Sequence, residues 1–533
     1  MFRRTLPLLT VIFAACGGAV QNGVSEDPFT SDVATLLTFE FDGVLTTSTP
    51  ASPKSQIRAQ LLYTVGQLNA QSSVARLDRV QLSGITSTWL SSGLTRIRYH
   101  AKLPVAWGSK TNLPSTYAFA LPQRVDTAGL TAFFNKYSPT CNAAAGHQMM
   151  VGNFWYHYRP AISGCAIAAA DRSAPVAAAS VSPLNTNAKY PEYHKVWEDR
   201  SLDVLAVFGK YEKGATSDFD AGIAAYNEFV AYMRAELGAG AAVSPSGLPS
   251  SPGAANPDVV FTLDLGGGRN ATISALLVDE VSSASAAWAK RYAELVAGAD
   301  MILYNGHAGL GANVAALEKM GAFFPAKYQV IFFDGCDTFA YADDTLAQRR
   351  AALNPDDPAG TRYLDVITNA MPAYFANMAD GSMALIRALL HPEAPKSYQA
   401  IFRETAQSHV VVAQGEEDNA FAPGLLLAPR WNALRETGFV GKAETVQYTV
   451  DLAAGTYSFQ LMPDAAFAGG DADLRVRAGS APPLTAEFKC KSYVYNSNEK
   501  CTMKLAAPAR VYMTVTGDKL GVQSRYVLRA WGG

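Results

Sequence analysis

Residues 302–311 read ILYNGHAGLG and residues 329–341 read QVIFFDGCDTFAY. Each is a short apolar run that stops in small and polar residues, the first at His307 and the second at Cys336. Such a run, bounded by turn residues, is the pattern of a strand buried on both faces. Between them GANVAALEKMG, residues 311–321, carries apolar residues at helical spacing. The alternation extends upstream. LDVLAVFGKY (202–211), VVFTLDL (259–265) and ISALLVDEV (273–281) read as strands, and DAGIAAYNEFVAYMRAEL (220–237) and SSASAAWAKRYAELVAG (282–298) as helices. The class expected is α/β, a mainly parallel sheet with helices on both faces. In such sheets ligands gather at the carboxyl ends of the strands, where His307 and Cys336 both fall. GGGRNA, at 266–271, has the glycines of a dinucleotide loop, but strand-like residues follow it, so a hairpin turn is expected.

A histidine and a cysteine at the ends of neighbouring parallel strands can form a catalytic dyad. The imidazole takes the thiol proton, and the thiolate attacks a carbonyl carbon to give an acyl-enzyme. Backbone N–H groups of Ala308, Gly309 and Cys336 are the expected oxyanion donors, with Gly306 and Gly335 permitting close approach.

The chain has 533 residues, a formal charge of -2 and 49% apolar residues. That length predicts about three or four structural units. The charge balance argues against nucleic acid as a partner, and no run reaches the roughly 18 apolar residues of a membrane-spanning helix. Arg3 and Arg4 followed by the apolar run 6–13 read as an export signal. Its end, Phe13-Ala14-Ala15-Cys16-Gly17, resembles the lipobox of bacterial lipoproteins. The resemblance implies cleavage before Cys16, lipidation of that cysteine and anchoring in the cell envelope; a plain secretory signal is the alternative. Residues 17–35 are then a tether.

Of the six cysteines, Cys141 with Cys165 and Cys490 with Cys501 lie at separations that suit local disulfides in an oxidising compartment. Cys336 is left over, either as a buried inert thiol or a reactive one. Residues 36–167 mix strand-like and helix-like segments, an α+β module with GNFWYHYRP (152–160) expected as a strand. The Ala/Ser/Pro-rich stretch 168–200 reads as a linker, 201–416 as the α/β domain, 417–437 as a second linker, and 438–533, with its period-2 alternation, as a small all-β sandwich.

The strand ending in a glycine-flanked histidine, followed by one ending in a small residue and cysteine, resembles the caspase/gingipain/metacaspase superfamily of cysteine peptidases. The resemblance implies a caspase-like fold, His307 as general base and Cys336 as nucleophile. Asp334 falls where several members shape the pocket before the scissile bond, which implies a preference for Arg or Lys. Ala308 stands where the family usually has glycine; it keeps the N–H but narrows the backbone's freedom, so an inactive descendant is the competing implication. Asp337, Asp343 and Asp344 are candidates for a structural calcium, with solvated loop acids the alternative; no other metal or cofactor is expected. GGDADLRVRAGSAPP (469–483) and the closing RYVLRAW (525–531) resemble the bacterial pre-peptidase C-terminal domain appended to secreted peptidases. The combined expectation is an envelope-anchored cysteine endopeptidase acting on a protein or peptide. The rival is a catalytically inactive surface lipoprotein that binds protein or glycan.

Overall fold

The computed structural model describes residues 28–48, 52–143, 148–425, 434–467, 469–479, 490–491, 497–517 and 523–532. The export signal and Cys16 lie outside the described residues. At the centre is a nine-stranded mixed sheet. Its strands, in chain order, are β1 (Thr30–Ser31), β2 (Ser201–Gly209), β3 (Ala242–Ser244), β4 (Asp258–Gly266), β5 (Arg269–Val278), β6 (Met301–Asn305), β7 (Gln329–Asp334), β8 (Leu364–Asn369) and β9 (Val411–Gln414). Side by side they run β1, β9, β8, β7, β6, β2, β5, β4, β3. The run β5-β2-β6-β7-β8 is parallel, and the outer pairs are antiparallel. The chain steps outward from β2 to β5 and then returns past β2 to β6. That reversal places a crevice at the carboxyl ends of β2 and β6, immediately before His307.

The apolar runs are continuous because both faces are covered. Val204, Ala206, Phe208, Leu303, Val330 and Phe332 pack against helices α1 (Ala221–Leu237) and α5 (Met378–Leu390). Their neighbours Leu205, Val207, Ile302, Tyr304, Ile331 and Phe333 pack against α2 (Ala286–Gly298), α3 (Ala312–Met320) and α4 (Thr345–Leu353). Successive strand residues point to opposite faces, so an apolar residue at every position serves two cores. Local signals set the helix bounds: the Asp220 carboxylate accepts from the Gly222 and Ile223 amides at the start of α1, and Gly238, at φ 66°, ends it. The GGG turn joins β4 to β5 as an antiparallel hairpin, all three glycines having positive φ.

The N-terminal module is built on a six-stranded sheet whose long central strands are Thr35–Thr47 and Thr95–Trp107. Helix Pro53–Asn69 packs on it, and the expected Cys141–Cys165 disulfide is formed. Three sequence expectations are corrected here. The stretch 168–200 is no linker: Val176–Val181 pairs with Thr35–Thr47, and Tyr193 and Trp197 are buried in the central core. Its alanines gave a linker's composition, but they are the small residues of a sheet strand. The tether ends before Phe29, which is 1% exposed, because β1 pairs with β9. The stretch expected as a strand at 152–160 holds a helical turn, Phe154–His157.

The C-terminal unit is a pair of four-stranded antiparallel sheets enclosing Phe459, Leu461, Leu474, Val511, Val515 and Leu528. Its first strand starts at Leu434, inside the stretch expected as a linker from 417 to 437. Phe421, in that same stretch, packs against Tyr193 with ring centroids 5.0 Å apart. Cys501 is disulfide-bonded; the side chain of Cys490 lies outside the described residues.

Candidate active site

In the sheet, Asn305 of β6 and Asp334 of β7 are register partners. His307 and Cys336 each follow two residues later, so parallel pairing brings them to the same height on adjoining loops. The two loops touch: Gly306 donates its N–H to the Asp334 carbonyl at 3.1 Å. A Cβ placed on Gly335 would come within 2.7 Å of the Gly306 carbonyl oxygen and 3.3 Å of the Ala308 nitrogen.

The His307 carbonyl is pinned by the Tyr304 hydroxyl at 2.7 Å and the Asn313 amide at 2.8 Å. Its ring lies 5.0 Å from each of Tyr211 and Phe375, centroid to centroid. Nε2 is 3.1 Å from the Tyr211 carbonyl. A carbonyl only accepts, so the neutral ring carries its proton on Nε2 and its basic lone pair on Nδ1. After the histidine the backbone turns sharply, with φ of 61° at Gly309, 51° at Leu310 and 95° at Gly311, before α3 begins. No described residue accepts the N–H of Ala308, Gly309 or Cys336. Ala308 is 3% exposed, and an amide so buried ordinarily has a partner.

Cys336 is the free cysteine among the described residues. Its thiol lies 3.6 Å from the Ala373 carbonyl, and burial, reinforced by Asp337, pushes it up to about 11. It is therefore a protonated thiol at neutral pH, the opposite of an activated nucleophile. The N-terminal module packs beside this thiol. Tyr156, on the helical turn Phe154–His157, lies against both Cys336 and Asp337; its own hydrogen bond lowers the thiol, so the rise comes from burial and from Asp337. Asn69 donates to the Asp337 carboxylate at 2.9 Å.

Asp334 does not wall an open pocket. It is 1% exposed, accepts from Asn369 at 2.6 Å and faces Gly381 of α5. Its other near neighbour is His409, with Nδ1 3.6 Å from the carboxylate. His409 in turn accepts the Tyr374 N–H on Nε2 at 3.1 Å, while its carbonyl accepts from Met371. It thereby holds the segment 371–375, which carries Ala373 over the thiol and Phe375 against the imidazole. The basic-residue specificity expected of Asp334 thus has no open approach. The three acids considered for calcium are dispersed: Asp337 is held by Asn69, Asp343 accepts from the Thr345 amide and Asp344 pairs with Arg79. No cluster of metal-binding side chains occurs among the described residues. Tyr156, Asn69 and His409 were not found from sequence. Each is distant in the chain from the loops it serves, and none belongs to a local motif.

No family model matches the chain, and no curated protein matches it. Among solved structures it is similar to the periplasmic inhibitor of g-type lysozyme, PliG, of Aeromonas hydrophila, at 19% identity over 21% of this chain and 92% of that one, with a TM-score of 0.17. The Salmonella Typhimurium PliG aligns at 9% identity, 19% and 91% coverage and a TM-score of 0.13. The pre-peptidase C-terminal domain of a Bacillus anthracis collagenase aligns at 14% identity over 18% of this chain and 89% of that one, with a TM-score of 0.15. No helix among the described residues is long and apolar enough to cross a membrane.

Proposed function

We propose that the chain is an envelope-anchored cysteine endopeptidase of the caspase/gingipain/metacaspase type, held latent by its own N-terminal module and carrying a pre-peptidase-like C-terminal domain. The observation that carries this reading is the pair of acceptor-free N–H groups, Ala308 and Cys336, flanking a histidine whose tautomer leaves Nδ1 basic. In the uncovered site, His307 takes the Cys336 proton. The thiolate bonds to the peptide carbonyl carbon, and the oxygen's developing charge falls to the Ala308 and Cys336 amides. As the C–N bond breaks, the imidazolium returns the proton to the leaving amine, and water then cleaves the thioester. Membrane attachment, in this reading, is through lipid on Cys16.

The second reading, a binding protein on an inactive peptidase scaffold, is favoured by one observation: the half-buried thiol faces the Ala373 carbonyl and Asp337, surroundings that favour its protonated form. Labelling of Cys336 in the full chain with an iodoacetamide probe, from about pH 5 to about pH 9, separates the two. Latency predicts slow labelling of wild type, acceleration of about tenfold or more in Tyr156→Ala, and loss of that acceleration when His307→Ala is added. Equal, slow labelling in all three proteins would overturn the peptidase reading.

A further inference from the structure

At the end of the sheet opposite His307, the C-terminal sandwich meets β4 and β5 across a cleft of about 450 Å³. Two arginines of the sandwich face it. Arg435 and Arg529 are direct register partners on antiparallel strands Leu434–Val440 and Ser524–Gly532, so their side chains leave the same face of the sheet. Like charges directly opposite one another are unfavourable unless something neutralises them.

Arg529 is neutralised by protein. It is 1% exposed, donates through both terminal nitrogens to Asp203 and reaches Asp199 at 3.1 Å. Arg435 makes no such direct contact. Asp203, Asp199 and Asp464 favour its charge through space, but among the described residues it has neither a hydrogen bond nor an ion pair, and its Nε is buried without a partner. The remaining lining carboxylates accept from backbone amides, Asp264 from Gly266 at 2.8 Å and Asp464 from Ala466 at 2.9 Å. What the cleft offers an anion is therefore the unbonded N–H fork of Arg435 and not a net positive field. The walls beside it, Met462, Pro463 and Val527, are apolar. A planar guanidinium matches the two oxygens of a carboxylate or phosphate, and a pocket with apolar walls and one fixed polar group suits a small organic ligand.

We propose that this cleft binds a small organic oxyanion, its carboxylate or phosphate clamped by Arg435 and its apolar body lying against Met462, Pro463 and Val527. The site is independent of the peptidase reading, since it uses none of the residues around His307.

The test is calorimetric titration of the full chain, at fixed ionic strength, with benzoate and separately with inorganic phosphate. Saturable benzoate binding is expected, weakened about tenfold or more in Arg435→Gln and less in Arg435→Lys, which keeps charge but loses the fork. Arg510→Gln, which removes an exposed arginine paired with Asp451, controls for net charge and should bind like wild type. Thr262→Trp, at an exposed position on the cleft face of β4, fills the cleft without replacing either arginine and should weaken benzoate to a similar degree, which covers the case of an Arg435 variant that fails to fold. Phosphate displacing benzoate in wild type alone would support the clamp. Phosphate binding without benzoate binding would overturn the organic ligand. Equal benzoate affinity in wild type and Arg435→Gln, or no saturable binding of either probe, would overturn the site.

Discussion

Asp334 and His409 face each other and respond to pH in opposite senses. Burial pushes the Asp334 carboxyl up to about 7, against the hydrogen bond from Asn369, and pushes the His409 imidazole down to about 4. A histidine depressed in the folded state contributes stability above its unfolded value of ~6.5, which is lost as pH falls toward 4. A carboxyl raised in the folded state contributes below its unfolded value of ~3.9 and loses that contribution as pH rises toward 7. Across the window between these limits the two largely cancel. Asp334→Asn should therefore unmask His409: relative to wild type, stability should fall by roughly 3 kcal/mol between about pH 6.5 and pH 4, the other buried carboxyls contributing alike to both proteins. Urea unfolding at stepped pH reads the difference, and a difference between the two proteins that does not change with pH would refute the opposed titration. The placement of His307 and Cys336 at one edge of the sheet was legible because each follows an apolar run. The burial of Asp334 was legible in principle: Phe332, two residues earlier, shares its face, and that face packs against α5.

At the scale of elements, the site depends on how closely the ends of β6 and β7 approach. Gly335→Ala would set a methyl 2.7 Å from the Gly306 carbonyl oxygen, a backbone atom that can yield only if the loops part. The expected cost is about 1–3 kcal/mol in thermal or denaturant unfolding, with His307 displaced from Cys336 as the loops separate. A variant as stable as wild type would mean that the loops yield cheaply and that the contact does not fix the dyad. The parallel strands and their helices were readable in sequence because periodicity, an Asp cap and a terminal Gly agree for α1, and a glycine run marks the β4–β5 hairpin. Val176–Val181 was hidden by its composition, since alanine carries little strand signal of its own. The turn at Phe154–His157 was hidden by its aromatic residues, which favour strands elsewhere but here bury Phe154, Trp155 and His157.

On the scale of the whole molecule, the sheet separates two contacts. The N-terminal module covers the carboxyl ends of the strands, and the sandwich docks at their amino ends, where Asp203 enters β2 and Asp300 precedes β6. No reading of sequence could pair Arg529 with Asp199, 330 residues apart. That ion pair, with the two bonds from Arg529 to Asp203, ties the sandwich to the central sheet. Burial opposes ionisation of Asp203, but the Arg529 guanidinium outweighs it and holds the carboxyl below its ordinary range. Lys327 is already committed to Asp300. Arg529→Met should therefore leave Asp199 and Asp203 buried without their partner and cost about 3–5 kcal/mol. The penalty should be smallest in acid. Wild type loses the stabilisation of a depressed carboxyl as pH falls through its folded value, whereas in the variant protonation relieves the stranded charges. Denaturant unfolding at neutral and acid pH tests the sign, and Cys336 labelling in the same samples tests the separation of the two ends. Cys336 reactivity should not change, because Arg529 touches neither Tyr156 nor the His307 loop. If Cys336 became reactive in Arg529→Met, the sheet would be transmitting the loss of the sandwich to the far end, and the covering of the thiol would depend on both flanking units.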